Sequence, residues 1–328
     1  MGSFMWISHM AELSSFWHGA VVAIGNFDGV HLGHQRVIKQ AIACGKTYQK
    51  PVAVLSFEPH PRDFFVPMRP VDRLTPPAQK AEILSLLGCD GVVEQCFDRT
   101  FADLSAESFV EAVLYHGFQA SAVVIGHDFS FGAHRGGNVA TLKEMGAHFG
   151  FSVYQEPAFV DATGAPVSSS RIRSSLAKGS VEEAARLLNY YYRVQGQVCH
   201  GAKLGRQLGF PTVNMVLPAQ TSLKYGIYAV RLYRKNGAFY GGVASFGRRP
   251  TVEKEGLPLL EIYIFDFDGD LYDEWVSVCF VSFLRDEAKF ANLDQLKTQI
   301  NQDCEAAKAC LIRAQPLSFL DARLNPVV

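Results

Sequence analysis

Gly25-Asn-Phe-Asp-Gly-Val-His-Leu-Gly-His34 is the stretch on which the fold turns. It follows the apolar run Ala20–Ile24 and precedes a segment with Val37, Ile38, Ala41 and Ile42 on one helical face. A strand therefore gives way to a helix here through a glycine turn. Glycines at 25, 29 and 33 let backbone N–H groups approach a ligand closely, and the N-terminus of a helix favours an anion. His31 and His34 are three apart and share a face if the helix begins near them. Two imidazoles in such a place suit hydrogen bonding to phosphate oxygens as charge develops. The spacing alone fits a structural pair as well, and no partner at zinc-ligand spacing accompanies it.

Outward from this turn, short β runs alternate with helical patterns. Val52–Phe57, Gly91–Val93 and Ala122–Ile125 read as strands; Ala78–Leu87 and Phe109–Tyr115 read as helices. Uniformly apolar strands between helices predict a parallel sheet covered on both faces, in which ligands bind beyond the carboxyl ends of the strands. The texture changes near residue 190. Arg193–Cys199, Ile227–Tyr233, Phe239–Ser245, Leu259–Phe267 and Val276–Phe283 are β runs separated by turns, and Asn236-Gly237 predicts a type I′ hairpin. Many short strands at turn-rich spacing predict a small antiparallel barrel. Leu293, Leu296, Ile300, Cys304 and Ala307 recur at helical spacing and close the chain. The expected class is α/β, with a Rossmann-like domain over 1–187 and a β-barrel domain over 188–328.

Composition excludes several classes. The 328 residues suit two domains rather than one core. A formal net charge of −1 supplies no field for nucleic acid. No apolar run reaches the roughly 20 residues of a membrane span, and Met1–Gly19 lacks the basic flank and cleavage site of a signal peptide. Seven scattered cysteines without a C-x-x-C pair read as reduced thiols in a cytoplasm. Oligomeric state is left open.

Other stretches carry chemistry. Ser168-Ser-Ser-Arg-Ile-Arg173 gathers hydroxyls and guanidiniums before a helical segment, fitting either a helix cap or triphosphate oxygens. Gly126-His-Asp-Phe-Ser-Phe-Gly132 again follows a strand. Gly201-Ala-Lys-Leu-Gly-Arg-Gln-Leu-Gly-Phe-Pro-Thr-Val-Asn214 is not a Walker A loop, yet Gly201, Lys203, Gly205 and Arg206 suit a loop around phosphates. Thr212 and Asn214 alternate by two, so in an extended segment they face one way. Their neutral oxygens suit a Mg²⁺ held mainly by ATP phosphates and water; a polar turn is the plain alternative. Asp266, Asp268 and Asp270 do not complete an EF-hand, because Leu271 stands where glycine is required.

Taken as whole strings, the motifs resemble bacterial bifunctional riboflavin kinase/FAD synthetases. H-x-G-H after a strand and a glycine turn is a signature of the nucleotidyltransferase superfamily. Gly25–His34, Gly126–Gly132 and Ser168–Arg173 resemble the three motifs of the adenylyltransferase half. Pro211–Asn214 resembles the P-T-x-N motif of riboflavin kinases, and the likeness continues through Tyr225–Val230, Gly247–Thr251, Glu261–Tyr272 and Phe283–Phe290.

The resemblance implies His31 and His34 at the ATP phosphates, with Gly25, Phe27, Asp28 and Gly33 in the same nucleotide site. It implies Asp128 near the transferred phosphate, Phe129 at the flavin, and Ser169, Ser170, Arg171 and Arg173 on the triphosphate. In the second half it implies Glu261 as the base for the riboflavin 5′-hydroxyl, and Arg285 and Glu287 in a flap over flavin and nucleotide. Riboflavin, FMN, FAD and ATP are the implied ligands, with Mg²⁺ accompanying ATP. Departures from the family pattern are Ser170 for threonine, Asp128 for an occasional asparagine, Ser245-Phe246 for Asn-Ile, Ile262-Tyr263 for Thr-His, and Asp273 for glycine. Two other readings are an adenylyltransferase for a different phosphorylated substrate and a flavin-sensing regulator. The Pro211–Asn214 and Glu261 stretches argue against the first, and the retained histidines against the second.

Overall fold

The computed structural model describes residues 4–68, 70–200, 209–248 and 256–327. The chain divides into two compact units, Met1–Ser169 and Ser170–Val328.

The first unit holds a six-stranded sheet: β1 Met5–Ile7, β2 Val21–Ile24, β3 Val52–Glu58, β4 Gly91–Cys96, β5 Ala122–Gly126 and β6 Ser152–Glu156, in the order β1-β4-β3-β2-β5-β6. Every neighbouring pair is parallel. Val21–Ile24 and Ala122–Ile125 are buried along their whole length, as strands covered on both faces must be. The connections include α1 Leu32–Tyr48, α2 Pro61–Phe65, α3 Pro77–Leu87, α4 Arg99–Ala102, α5 Ala106–Phe109 and α6 Val139–Phe149. The segment read as a helix over Phe109–Tyr115 continues α5 as a π-helix, Val110–Gly117. Phe109, Val110, Val113 and Leu114 pack there into the unit's main core.

The strand order reverses between β2 and β5. Ile24 and Ile125 are register partners at their ends, so the turn after Gly25 and the turn after Gly126 open side by side at the carboxyl edge. That is where a doubly wound sheet leaves its ligand crevice.

The second unit begins with α7 Ser169–Ala177, whose first residue is counted with the first unit, and α8 Val181–Leu188. Its strands are β7 Arg193–Gln197, β8 Thr212–Val216, β9 Gly226–Arg234, β10 Phe239–Arg248, β11 Pro258–Ile264 and β12 Trp275–Arg285. They form one sheet in the order β7-β12-β9-β10-β11-β8, antiparallel throughout. A bridge from the Cys199 N–H to the Asn214 carbonyl, 2.8 Å, joins the two ends of that order and curls the sheet into a small barrel. The helix Leu293–Arg313 lies over β9, β10 and β12 and buries Cys304 and Ala307 against Ala229 and Val243.

The hairpin between β9 and β10 has a different turn from the expected type I′. The Gly237 N–H reaches the Arg234 carbonyl and the Arg234 N–H reaches the Ala238 carbonyl. Gly237 takes the left-handed conformation (φ 87°), but Asn236 does not. This is the three-residue loop, a type I turn closed by a glycine bulge. All seven cysteines are free.

Candidate active sites

The first site is built on the turn after β2. His31 is the N-cap of α1, and its Nδ1 accepts the His34 backbone N–H at 3.3 Å. A neutral His31 therefore carries its proton on Nε2, as a donor. The two rings stack, with centroids 3.6 Å apart and planes 15° from parallel. Gly33 makes this possible, since a Cβ there would stand 3.2 Å from His31 Cε1. Phe27 meets His34 edge-on at 5.3 Å. Phe27 and Val30 are both buried with positive φ, 49° and 34°. Left-handed backbone at a β-branched residue is costly and persists where the surroundings over-determine it.

His34 titrates well below the ordinary histidine range. Burial is the main cause, followed by repulsion from His31 and from Lys80. Its Nδ1 and the side-chain oxygen of Asn26 are buried without a hydrogen-bond partner among the described residues. His34 is thus a neutral imidazole already stacked on His31. Such groups stabilise developing charge at little reorganisation cost.

The other predicted residues of this unit fall into two groups. Asp28 is buried and structural in its contacts: its Oδ1 accepts the Thr75 N–H at 3.0 Å, and Thr75 Oγ1 in turn accepts the Gly29 N–H at 2.8 Å. The Ser169 hydroxyl donates to the Asp28 carbonyl at 2.8 Å, so Ser169 also pins the turn. Asp128 and Phe129 instead stand in the turn after β5. Asp128 is exposed, with His127 Nδ1 3.8 Å from its Oδ1. Phe129 stacks on Phe131 at 5.4 Å, and an unbroken series of rings leads from there through Phe109, Phe101 and Phe97 to Phe64 and Phe65. Thr75 was invisible in the sequence as a site residue. Its signal was only a threonine ahead of Pro76-Pro77, a helix start.

In the second unit, Ser170 is exposed near the start of α7, and Arg171 forms an ion pair with Glu183 of α8 at 3.1 Å. Arg173 lies one residue beyond the buried Ile172 on the same helix. Gly201, Lys203, Gly205 and Arg206 lie outside the described residues, as do residues 249–251 of the Gly247–Thr251 motif.

The barrel brings the remaining kinase residues together. Glu261 of β11 is the direct register partner of Asn214 of β8, and Thr212 is paired with Tyr263. Paired residues share a face of the sheet, so Thr212, Asn214 and Glu261 form one cluster. Asn214 is buried, while Thr212 and Glu261 are half-buried. Leu260 and Ile262, flanking Glu261, are fully buried on the opposite face and hold its backbone in place. The row extends to Ser245 and Ile227, and Ile227 is in turn paired with Arg285 of β12. Ser245, one of the departures from the family pattern, thus stands directly beside Glu261.

Arg285 has a second engagement. It forms a two-pronged ion pair with the buried Asp303 of the closing helix, at 2.8 and 2.6 Å. The pair ties the end of β12 to that helix. The Glu287 carboxylate lies against Gly247 of β10, and burial raises its pKa. Among the described residues no group of three or more histidine, cysteine or acidic side chains could hold a metal on its own. The neutral side-chain oxygens of Thr212 and Asn214 fit a cation whose other ligands come from the nucleotide.

A family model described as FAD synthetase matches residues 13–171, and one described as riboflavin kinase matches residues 188–311. A Haemophilus influenzae protein named bifunctional riboflavin kinase/FMN adenylyltransferase is 42% identical, covering 89% of this chain and 94% of its own. The Escherichia coli K12 protein of the same name is 37% identical over 87% of this chain and 90% of its own. A solved Streptococcus pneumoniae structure, named a macrolide-efflux protein, is 30% identical with a TM-score of 0.82, covering 93% of this chain and 98% of that one. No described helix of the present chain is long and apolar enough to cross a membrane. With both family models matched in order and relatives aligned along most of their length, this chain belongs to the bifunctional riboflavin kinase/FMN adenylyltransferases.

Proposed function

We propose that this chain phosphorylates the 5′-hydroxyl of riboflavin with ATP to give FMN, and then transfers AMP from a second ATP to FMN, giving FAD and pyrophosphate. The observation that carries the reading is the segregation of two chemically distinct clusters, the stacked His31–His34 pair in one compact unit and Thr212, Asn214 and Glu261 in the other.

In the kinase step, Glu261 takes the proton from the attacking hydroxyl as general base. Thr212 and Asn214 hold Mg·ATP. The divalent cation that such ATP reactions generally require is taken to be Mg²⁺, which neutralises phosphate charge. In the adenylyl-transfer step, the FMN phosphate attacks the ATP α-phosphorus directly, with pyrophosphate leaving. His31 and His34 donate to the phosphate oxygens as charge accumulates. Asp128 lies near the transferred phosphate, Ser169, Ser170, Arg171 and Arg173 contact the triphosphate, and Phe129 begins an aromatic wall for the flavin. Arg285 and Glu287 border the flavin of the kinase site. Free cysteines and bacterial biosynthetic relatives support a cytoplasmic location.

Asn214→Ala tests the kinase assignment. Riboflavin phosphorylation is abolished, while supplied FMN is still converted to FAD. Normal kinase turnover across a Mg²⁺ titration contradicts the metal role.

The functional division is proposed at 187/188, and the compact units add a structural condition. Ala185 packs with Tyr191 and Cys279, Glu182 accepts a hydrogen bond from Ser282, and the Lys224 N–H donates to the Leu176 carbonyl. Fragments 170–328 and 188–328 both phosphorylate riboflavin, but the shorter one melts lower, by roughly 2–4 °C for each kcal/mol of packing lost. Equal melting temperatures would show that the segment 170–187 contributes nothing to the barrel. A folded but inactive 170–328 fragment would contradict the two-site division.

A further inference from the structure

We propose that Lys80 is a positioning residue of the adenylyl-transfer site, holding the Gly25–His34 turn through Ser56 and Asn26 and placing a fixed positive charge behind His34. The inference rests on the adenylyl-transfer reading above.

Lys80 lies on α3 at the spacing of Ile83, Leu84 and Leu87, on a helix face where an apolar residue belongs. It is 2% exposed. Its Nζ donates to Ser56 Oγ at 2.6 Å and pairs with Glu94 Oε1 at 3.1 Å. Ser56 and Glu94 are register partners near the carboxyl ends of β3 and β4, so the ammonium caps that strand pair. The Ser56 hydroxyl passes the contact on, donating to the Asn26 carbonyl at 3.3 Å, inside the glycine turn. Glu94 is held from its other side by Trp6 Nε1 at 2.9 Å. The series Trp6–Glu94–Lys80–Ser56–Asn26 thus runs from β1 through β4, α3 and β3 to the turn that carries the histidines.

A buried ion pair is weak evidence for stability, because packed apolar residues of similar volume often do as well. Its retention here calls for another account, and its position supplies one. Lys80 is close enough to act electrostatically on His34. Charge acts on His34 from His31 of its own helix cap and from Lys80 of α3, while Glu94 engages the lysine rather than the imidazole. The lysine charge helps keep His34 a neutral imidazole before the nucleotide arrives. The contact through Ser56 fixes the depth of Asn26, whose side-chain oxygen is buried and unpartnered.

The test uses the full chain with Lys80→Met and Glu94→Leu together, which removes the charges without stranding a carboxylate. Histidine NMR titration gives the His34 midpoint, assigned by its loss in a His34→Asn chain. FAD formation gives kcat and KM, and riboflavin phosphorylation reports an intact second unit. We expect the His34 midpoint to rise, and kcat for FAD formation to fall on the order of 10²-fold with far less change in KM for ATP. Kinase turnover stays at the wild-type value. If the double variant does not fold, Lys80→Gln with Glu94→Gln serves, since the amides retain hydrogen-bonding ends while both charges are lost. An unchanged His34 midpoint and kcat in a folded variant overturn the role of Lys80. Absence of FAD from the wild-type chain overturns the adenylyl-transfer reading itself, and the two failures are distinct.

Discussion

Glu261→Gln lowers riboflavin phosphorylation by about 10²–10⁴-fold, the usual cost of losing a general base. The substitution keeps the side-chain length and a hydrogen-bonding end, and removes only the group that accepts the proton. Leu260 and Ile262 are fully buried on the other face of β11, and the pairings with Asn214 and Ser245 run through the backbone, so core packing and the ladder hold the strand in the variant. Riboflavin binding, followed by quenching of flavin fluorescence, therefore survives while turnover falls. Conversion of supplied FMN to FAD stays at the wild-type rate, because that chemistry does not use Glu261 and its histidines lie in the other unit. Unchanged kinase turnover would reduce Glu261 to an ordinary strand glutamate.

Replacing His31 and His34 together by alanine stops FAD formation and leaves FMN accumulating. Each good donor lost from such a site costs on the order of 10²–10³ in rate. His31 also caps α1, and loss of a cap costs about 0.5–2 kcal/mol of stability. A His31→Asn, His34→Ala chain separates the two effects, because asparagine still caps the helix. That chain melts near the wild type and is still defective in FAD formation. Wild-type FAD yield from either double variant would remove the histidines from the mechanism.

Much of this arrangement was legible in the residues because strands buried on both faces have no polar side to disguise them. Val21–Ile24, Val52–Leu55 and Ala122–Ile125 read directly as a parallel sheet. The edge strands did not. Met5–Ile7 is only three residues long, and Ser152–Glu156 is half-exposed, so neither has a strong apolar pattern. Asn236-Gly237 announced the hairpin but not its turn, since the same dipeptide serves a three-residue loop when glycine alone is left-handed. The kinase cluster was legible as separate strings, but strand register is not written in them. Only the pairing of β11 with β8 sets Glu261 opposite Asn214. Asp28 is legible in the glycine turn, but its bond to the Thr75 N–H is not, because Thr75 lies far off in sequence. Lys80 is not legible as a site residue, because a lysine among helical apolar residues has the pattern of a solvated interruption and its depth is set by the fold.

The most direct test of two activities in one chain is to incubate the purified protein with riboflavin, ATP and Mg²⁺ and to separate the flavins by chromatography over time. The account predicts that FMN appears first and FAD follows, with two ATP consumed per FAD formed. Riboflavin returned unchanged, or FMN formed with no FAD even when FMN is supplied at the start, would contradict it.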